Sequence, residues 1–179
     1  ISSSTNLVYH LSILERELQK PIYFVAGNHD YWYSSFEDVK KQLTEVSNIS
    51  PYLNYLSSKS YIPLTNNLAI IGHDGWYSAS CGSVDNRRFT MNDWVNIKDY
   101  KNEGSYHNMN AVCTLSKKEA MLAAKHIHDS IKEVTRYYNN ILILTHVPPF
   151  PDVCRHNGEP TEREALPWYC NTFLGDVLA

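Results

Sequence analysis

The sequence predicts a layered α/β domain, on two observations. Amphipathic stretches with helical spacing alternate with short, unbroken apolar runs, as in sheets covered by helices. Three of those runs, Ile22 to Ala26, Leu68 to Ile71 and Ile141 to Leu144, stop at a polar turn that carries a histidine. In open α/β sheets ligands bind beyond the carboxyl ends of the strands, so the second observation locates a site as well as a fold.

The elements follow in order. Ser4 is positioned to cap a first helix whose leucines, Leu7, Leu11, Leu14 and Leu18, form an apolar stripe. Lys20-Pro21 ends it, because the residue before proline is pushed out of the helical region. Ile22 to Ala26 reads as a parallel strand covered on both faces. Gly27-Asn28-His29-Asp30 closes that strand and presents an amide, an imidazole and a carboxylate on one turn. Ser34 with Glu37 makes a capping box for a second helix with Phe36, Val39, Leu43 and Val46 on its apolar face. Tyr61 to Leu64 reads as a short edge strand, Asn66-Asn67 as a turn, and Leu68 to Ile71 as a buried strand ending in Gly72-His73-Asp74-Gly75.

Between residues 76 and 115 the periodicity fades into a segment rich in Tyr, Trp, Asn and Arg. It is too aromatic for disorder and reads as an irregular substrate-side loop or cap within a single domain spanning 1–179. Ser116 with Glu119 suggests a second capping box and a long helix to about Tyr138. Its His126 and His128, two apart, point in different directions and read as surface residues. Ile141 to Leu144 is a third buried strand, leading into Thr145-His146-Val147-Pro148-Pro149. A last helix is expected from about Asn171, over Phe173 to Leu178.

Composition narrows the function. The chain of 179 residues is 43% hydrophobic and 20% charged, ordinary for a globular domain with a real core. A formal net charge of −3 without a basic face argues against a dedicated nucleic-acid binder, leaving nucleic acid as a partner only in the role of substrate. No apolar run approaches the roughly 20 residues of a membrane helix, so no membrane partner is expected. The four cysteines, Cys81, Cys113, Cys154 and Cys170, form no C-x-x-C pair and read as reduced, mostly buried thiols of a cytoplasmic protein. Nothing indicates an oligomeric state. A serine or cysteine hydrolase is disfavoured, since no Gly-x-Ser-x-Gly occurs.

Three histidines, His29, His73 and His146, leave strands at the same topological edge. Imidazole is the commonest metal ligand and an acid near neutral pH, and Asn28 adds a neutral oxygen donor that hard divalent ions accept. Gly-Asn-His-Asp after one apolar strand, with Thr-His-Val-Pro-Pro after a later one, resembles the calcineurin-like metallophosphoesterases. The resemblance implies an α-β-β-α sandwich and a hydrolase of phosphate esters. It also implies a dinuclear centre of two divalent ions (Mn, Fe or Zn) that provides a metal-bound hydroxide as nucleophile.

Residue by residue, Asn28 and His146 match ligands of the second metal. His29 matches the histidine that contacts phosphate and serves the leaving group, and Asp30 the acid that orients it. His73 and Asp74 stand outside the family's core pattern and are candidate substrate-binding residues of the cleft. Arg87 and Arg88 are candidates for contacting a substrate phosphate. The family's Asp-x-His, Gly-Asp and Gly-His-x-His motifs do not occur, which suggests a domain truncated at both ends, without ligands to the first metal. A catalytically inactive phosphoesterase-like module for binding or scaffolding is the alternative reading.

Overall fold

The structure, a computed structural model, describes residues 3–84 and 89–179. It is a layered, mixed α/β arrangement, as the sequence predicts. One half consists of α1 (Leu7–Leu18), β1 (Ile22–Phe24), α2 (Phe36–Ile49) and β2 (Leu53–Tyr55), with β1 and β2 paired in parallel. The other is a three-stranded sheet, ordered β3 (Ile62–Pro63), β4 (Leu68–His73) and β5 (Asn140–Thr145). β3 runs antiparallel to β4, across the turn expected at Asn66-Asn67, and β5 runs parallel to β4. The long α5 (Met109–Val134) and the short α6 (Thr172–Leu178) pack together beside this sheet. A small hairpin of β6 (Arg155–His156) and β7 (Glu159–Pro160) lies between β5 and α6.

Several local signals act one step away from the expected place. α1 starts after Asn6, and Ser4 instead donates its hydroxyl to the Trp32 carbonyl at 2.7 Å. α2 is capped by Ser35, whose hydroxyl accepts from the Asp38 amide, and not by Ser34. α5 begins seven residues before Ser116, because Asn108 accepts the Ala111 amide and nucleates the helix there. Ser116 is consequently a fully buried interior residue that returns its hydroxyl to the Val112 carbonyl at 2.7 Å. Glu119, its supposed capping partner, pairs instead with Lys40 of α2 at 2.6 Å. The 76–115 segment is also more regular than its sequence suggests: α3 (Asp93–Asn96), α4 (Lys98–Asn102) and the first turns of α5 lie in it.

Burial follows position in the sheet. β4 is central, and five of its six residues are buried. β5, at the edge of the three-stranded sheet, alternates and leaves Leu142 51% exposed, so it is not the uniformly buried strand expected. β1 is likewise only half-buried along its length. Two apolar clusters share the interior. The larger joins Leu7, Leu11, Phe36, Val39 and Leu43 to the aromatic residues Trp76, Tyr77, Trp94 and Tyr100. The smaller lies between Ala69 and Ile71 of β4 and Ile127 and Leu174 of the helices. No helix among the described residues is long and apolar enough to cross a membrane.

Candidate metal centre

After β1 the chain passes Gly27 in extended conformation and enters a single 3₁₀ turn, Asn28–Tyr31. Asp30 builds this turn: its Oδ2 accepts the Gly27 amide at 2.8 Å, and its own amide donates to the Gly27 carbonyl at 3.0 Å. The carboxylate is buried and its charge also faces the His146 ring. His29, one residue earlier, is turned out to solvent and stacks on Trp32 with ring centroids 3.8 Å apart.

β5 brings His146 to the same place. Its register with β4 sets Thr145 beside His73, so His146 leaves the sheet immediately next to Asp74. The His146 Nε2 lies 3.1 Å from the Asn28 Oδ1, across 118 residues of sequence. A Cβ on residue 27 would sit 3.0 Å from the His146 Cε1, so glycine there lets the ring lie close over the backbone. Crowding around the ring lowers the His146 pKa by desolvation, against the pull of Asp30, Asp74 and Asp93.

Asp93, from α3, completes the cluster and was not a candidate on sequence grounds. It is 1% exposed. The Asn28 Nδ2 donates to both its oxygens, at 2.9 and 3.1 Å, and the Trp32 Nε1 donates to Oδ1 at 2.8 Å. Burial pushes its pKa up, while those donors and the nearby His29 and His146 rings favour the charged form. No periodicity or motif marks it: 65 residues separate it from Asn28, in the aromatic segment where sequence patterns are weakest.

His73 and Asp74 are not residues of a cleft wall. Asp74 is 2% exposed, and both its oxygens are occupied. Oδ1 accepts the Ala26 amide at 2.6 Å and the Ser57 hydroxyl at 2.9 Å, and Oδ2 accepts the phenols of Tyr31, at 2.5 Å, and Tyr55. It thus ties the ends of β1, β2 and β4 together beneath the site. His73 is buried against His126, ring centroids 5.1 Å apart, with its Nδ1 accepting the Gly75 amide. Burial, with His126 and Lys40 nearby, drives the His73 pKa down to about 3. His126 is therefore a half-buried residue facing the sheet, and only His128 has the surface position expected of both. Arg87 and Arg88 lie outside the described residues.

The donors present suit a divalent ion in part. One oxygen and one nitrogen at 3.1 Å have the spacing of two adjacent ligands on one ion, since octahedral bonds of about 2.1 Å separate neighbouring ligands by roughly 3 Å. Among the described residues no group of three or more His, Cys, Asp and Glu side chains is arranged to hold a metal. The site so described is a pair of donors, Asn28 and His146, braced by Asp30 and Asp93 and flanked by His29.

The family model for calcineurin-like phosphoesterases matches residues 4–177. No curated protein and no solved structure matches the chain. With the match covering nearly its whole length, the chain belongs to the calcineurin-like phosphoesterase family.

Proposed function

We propose that the protein is a metal-dependent hydrolase of phosphate esters whose site is built around Asn28, His29 and His146. The observation that carries this reading is the approach of the Asn28 Oδ1 to the His146 Nε2 at 3.1 Å, two neutral donors from strand ends far apart in sequence. Two divalent ions (Mn, Fe or Zn), when bound, supply positive charge to a phosphate and activate water. Asn28 and His146 would hold one of them. His29 is exposed beside this pair and is the group free to donate a proton to a leaving oxygen. Its stacking on Trp32 limits how the ring can swing, so the proton is held in one place. Asp30 fixes the turn that carries both Asn28 and His29, and its carboxylate faces the His146 ring.

The substrate class is phosphate esters, mono- or diesters, with nucleotides, phosphoproteins, lipids and nucleic acids all within it. Arg87 and Arg88 join this proposal as residues for the phosphate. The four cysteines, all free thiols, fit a reducing compartment such as the cytoplasm.

Hydrolysis of an aryl phosphate by the full-length protein with Mn²⁺ tests the reading. His29→Ala should lower kcat by about 10²–10⁴-fold, the usual worth of a positioned acid. Turnover equal to wild type in that variant would remove His29 from its role. The alternative, an inactive module that binds or scaffolds, draws on the lack of a three-residue metal cluster among the described residues. It is favoured if the wild-type protein neither binds Mn²⁺ nor hydrolyses the ester.

A further inference from the structure

We propose that Asp93 is the positioning residue of this site, setting which end of the Asn28 amide faces His146 and, through Trp32, the plane of the His29 ring. The inference rests on the reading of Asn28 and His146 as metal donors.

An asparagine amide is nearly symmetric in shape, and its two ends differ mainly in hydrogen bonding. An ionised carboxylate only accepts. Asp93 therefore selects the nitrogen end of Asn28, which donates to both its oxygens at 2.9 and 3.1 Å. The oxygen end is left to point at His146. Without Asp93, the half-turned amide would present N–H groups to the ion. The same carboxylate takes the Trp32 indole N–H at 2.8 Å, and the Trp32 ring lies on His29 at an interplanar angle of 29°. One buried group thus reaches both the donor oxygen and the proton-bearing histidine.

The backbone around Asp93 holds it in register with the motif. The Tyr33 amide donates to the Asn96 carbonyl at 2.8 Å, and the Lys98 amide to the Ser34 carbonyl at 2.9 Å. The Phe36 amide donates to Asp99 Oδ2 at 2.9 Å. These three bonds lace the α3–α4 segment to the chain immediately after Gly-Asn-His-Asp. Partners of ligating groups commonly set metal affinity this way, and their loss costs about 10–100-fold.

The test uses Asp93→Asn, nearly isosteric, in the full-length protein, with Mn²⁺ binding followed by calorimetry. D93N should bind Mn²⁺ about 10–100-fold more weakly than wild type. In an Asn28→Ala background the same change should cost nothing further, because the residue through which Asp93 acts is gone. Affinity within twofold of wild type, or an equal loss in both backgrounds, overturns the proposal. A second readout needs no metal: the indole N–H resonance of Trp32, identified by Trp32→Phe, and the Asn28 amide resonances should all move in D93N. If wild type takes up no Mn²⁺, the metal reading fails, and these resonances decide on Asp93: movement supports its role and constancy overturns it. Should D93N not fold, Asn28→Asp reads the contact from the other side. A carboxylate is the stronger ligand in isolation, yet it has no N–H for Asp93, so weaker Mn²⁺ binding supports the proposal and tighter binding overturns it.

Discussion

Asp74 is the residue on which the geometry beneath the site depends, and its removal should unfold the protein. Its carboxylate accepts from four donors: the Ala26 amide, the Ser57 hydroxyl and the phenols of Tyr31 and Tyr55. Tyr31 and Tyr55 are each only 1% exposed, so neither phenol can turn to water once its acceptor is lost. Hydrogen bonds to a charged group contribute about 1.5–3 kcal/mol each, and a stranded buried donor costs about 1–3 kcal/mol. Four such losses approach the whole stability of a domain, about 5–15 kcal/mol, so Asp74→Ala should not accumulate as folded protein. Asp74→Asn keeps one acceptor oxygen and directs an amide at the two phenols. One phenol can rotate to accept while the other loses its partner, for a cost of about 2–4 kcal/mol. Tyr55→Phe should cost about 1–2 kcal/mol. The double variant should cost less than the sum, because it removes the phenol that the introduced amide would strand. Urea denaturation with constant m-values measures all three. An Asp74→Asn variant within about 0.5 kcal/mol of wild type, the range of an ordinary surface change, would refute this account. Strict additivity in the double would do the same.

Acid should expose the buried His73. It stays neutral in the fold down to about pH 3, against an ordinary value of 6.5. The unfolded chain therefore binds the extra proton between those limits, and stability falls as pH drops below 6.5, by roughly 3 kcal/mol by pH 4.5, and levels off below 3. The neighbouring His126 shifts the same way and adds to the slope. His73→Gln should flatten the stability profile over the upper part of that window, and an unchanged slope would exclude His73 as its source. Gly72→Ala should destabilise by roughly 1–3 kcal/mol by overpacking. Its Cβ would lie 2.7 Å from both the Leu144 carbonyl oxygen and the Leu56 Cδ1, so β4 and β5 must separate; a melting temperature equal to wild type would count against that clash.

The runs that become β1, β4 and β5 and the turn after the first of them are local facts, and the sequence alone carries them. β2 had no local signal, and only Leu7 and Leu11 of the first helix stripe are buried. An apolar run of β-formers followed by Gly-Asn-His-Asp is a strand with a loaded turn in any context, and residues 22–30 fold that way. Asn28 and His146 each lie two residues beyond such a run, and their reading as metal donors came from the resemblance of the two motifs. Helix starts were less legible: capping pairs at Ser34 and Ser116 are common short patterns, and competing residues one step away, or several back, have the better geometry. Burial of the strands went beyond local pattern, since an apolar run does not say whether its strand is central like β4 or at an edge like β5.

Only the tertiary structure decided what the acidic residues do. Asp30, Asp74 and Asp93 look alike in sequence, each beside an aromatic or a glycine. Folding makes one the brace of the 3₁₀ turn, one the tie under four chain segments, and one the partner of Asn28 and Trp32. Histidines divide the same way: His73 leaves its strand as His146 does, but β4 is interior, and its ring meets His126 where His146 meets Asn28. Ligand type and strand order along the chain are set by short-range chemistry. Which donors Asp74 and Asp93 face depends on contacts spanning 17 to 65 residues, and those exist only once the layers have packed.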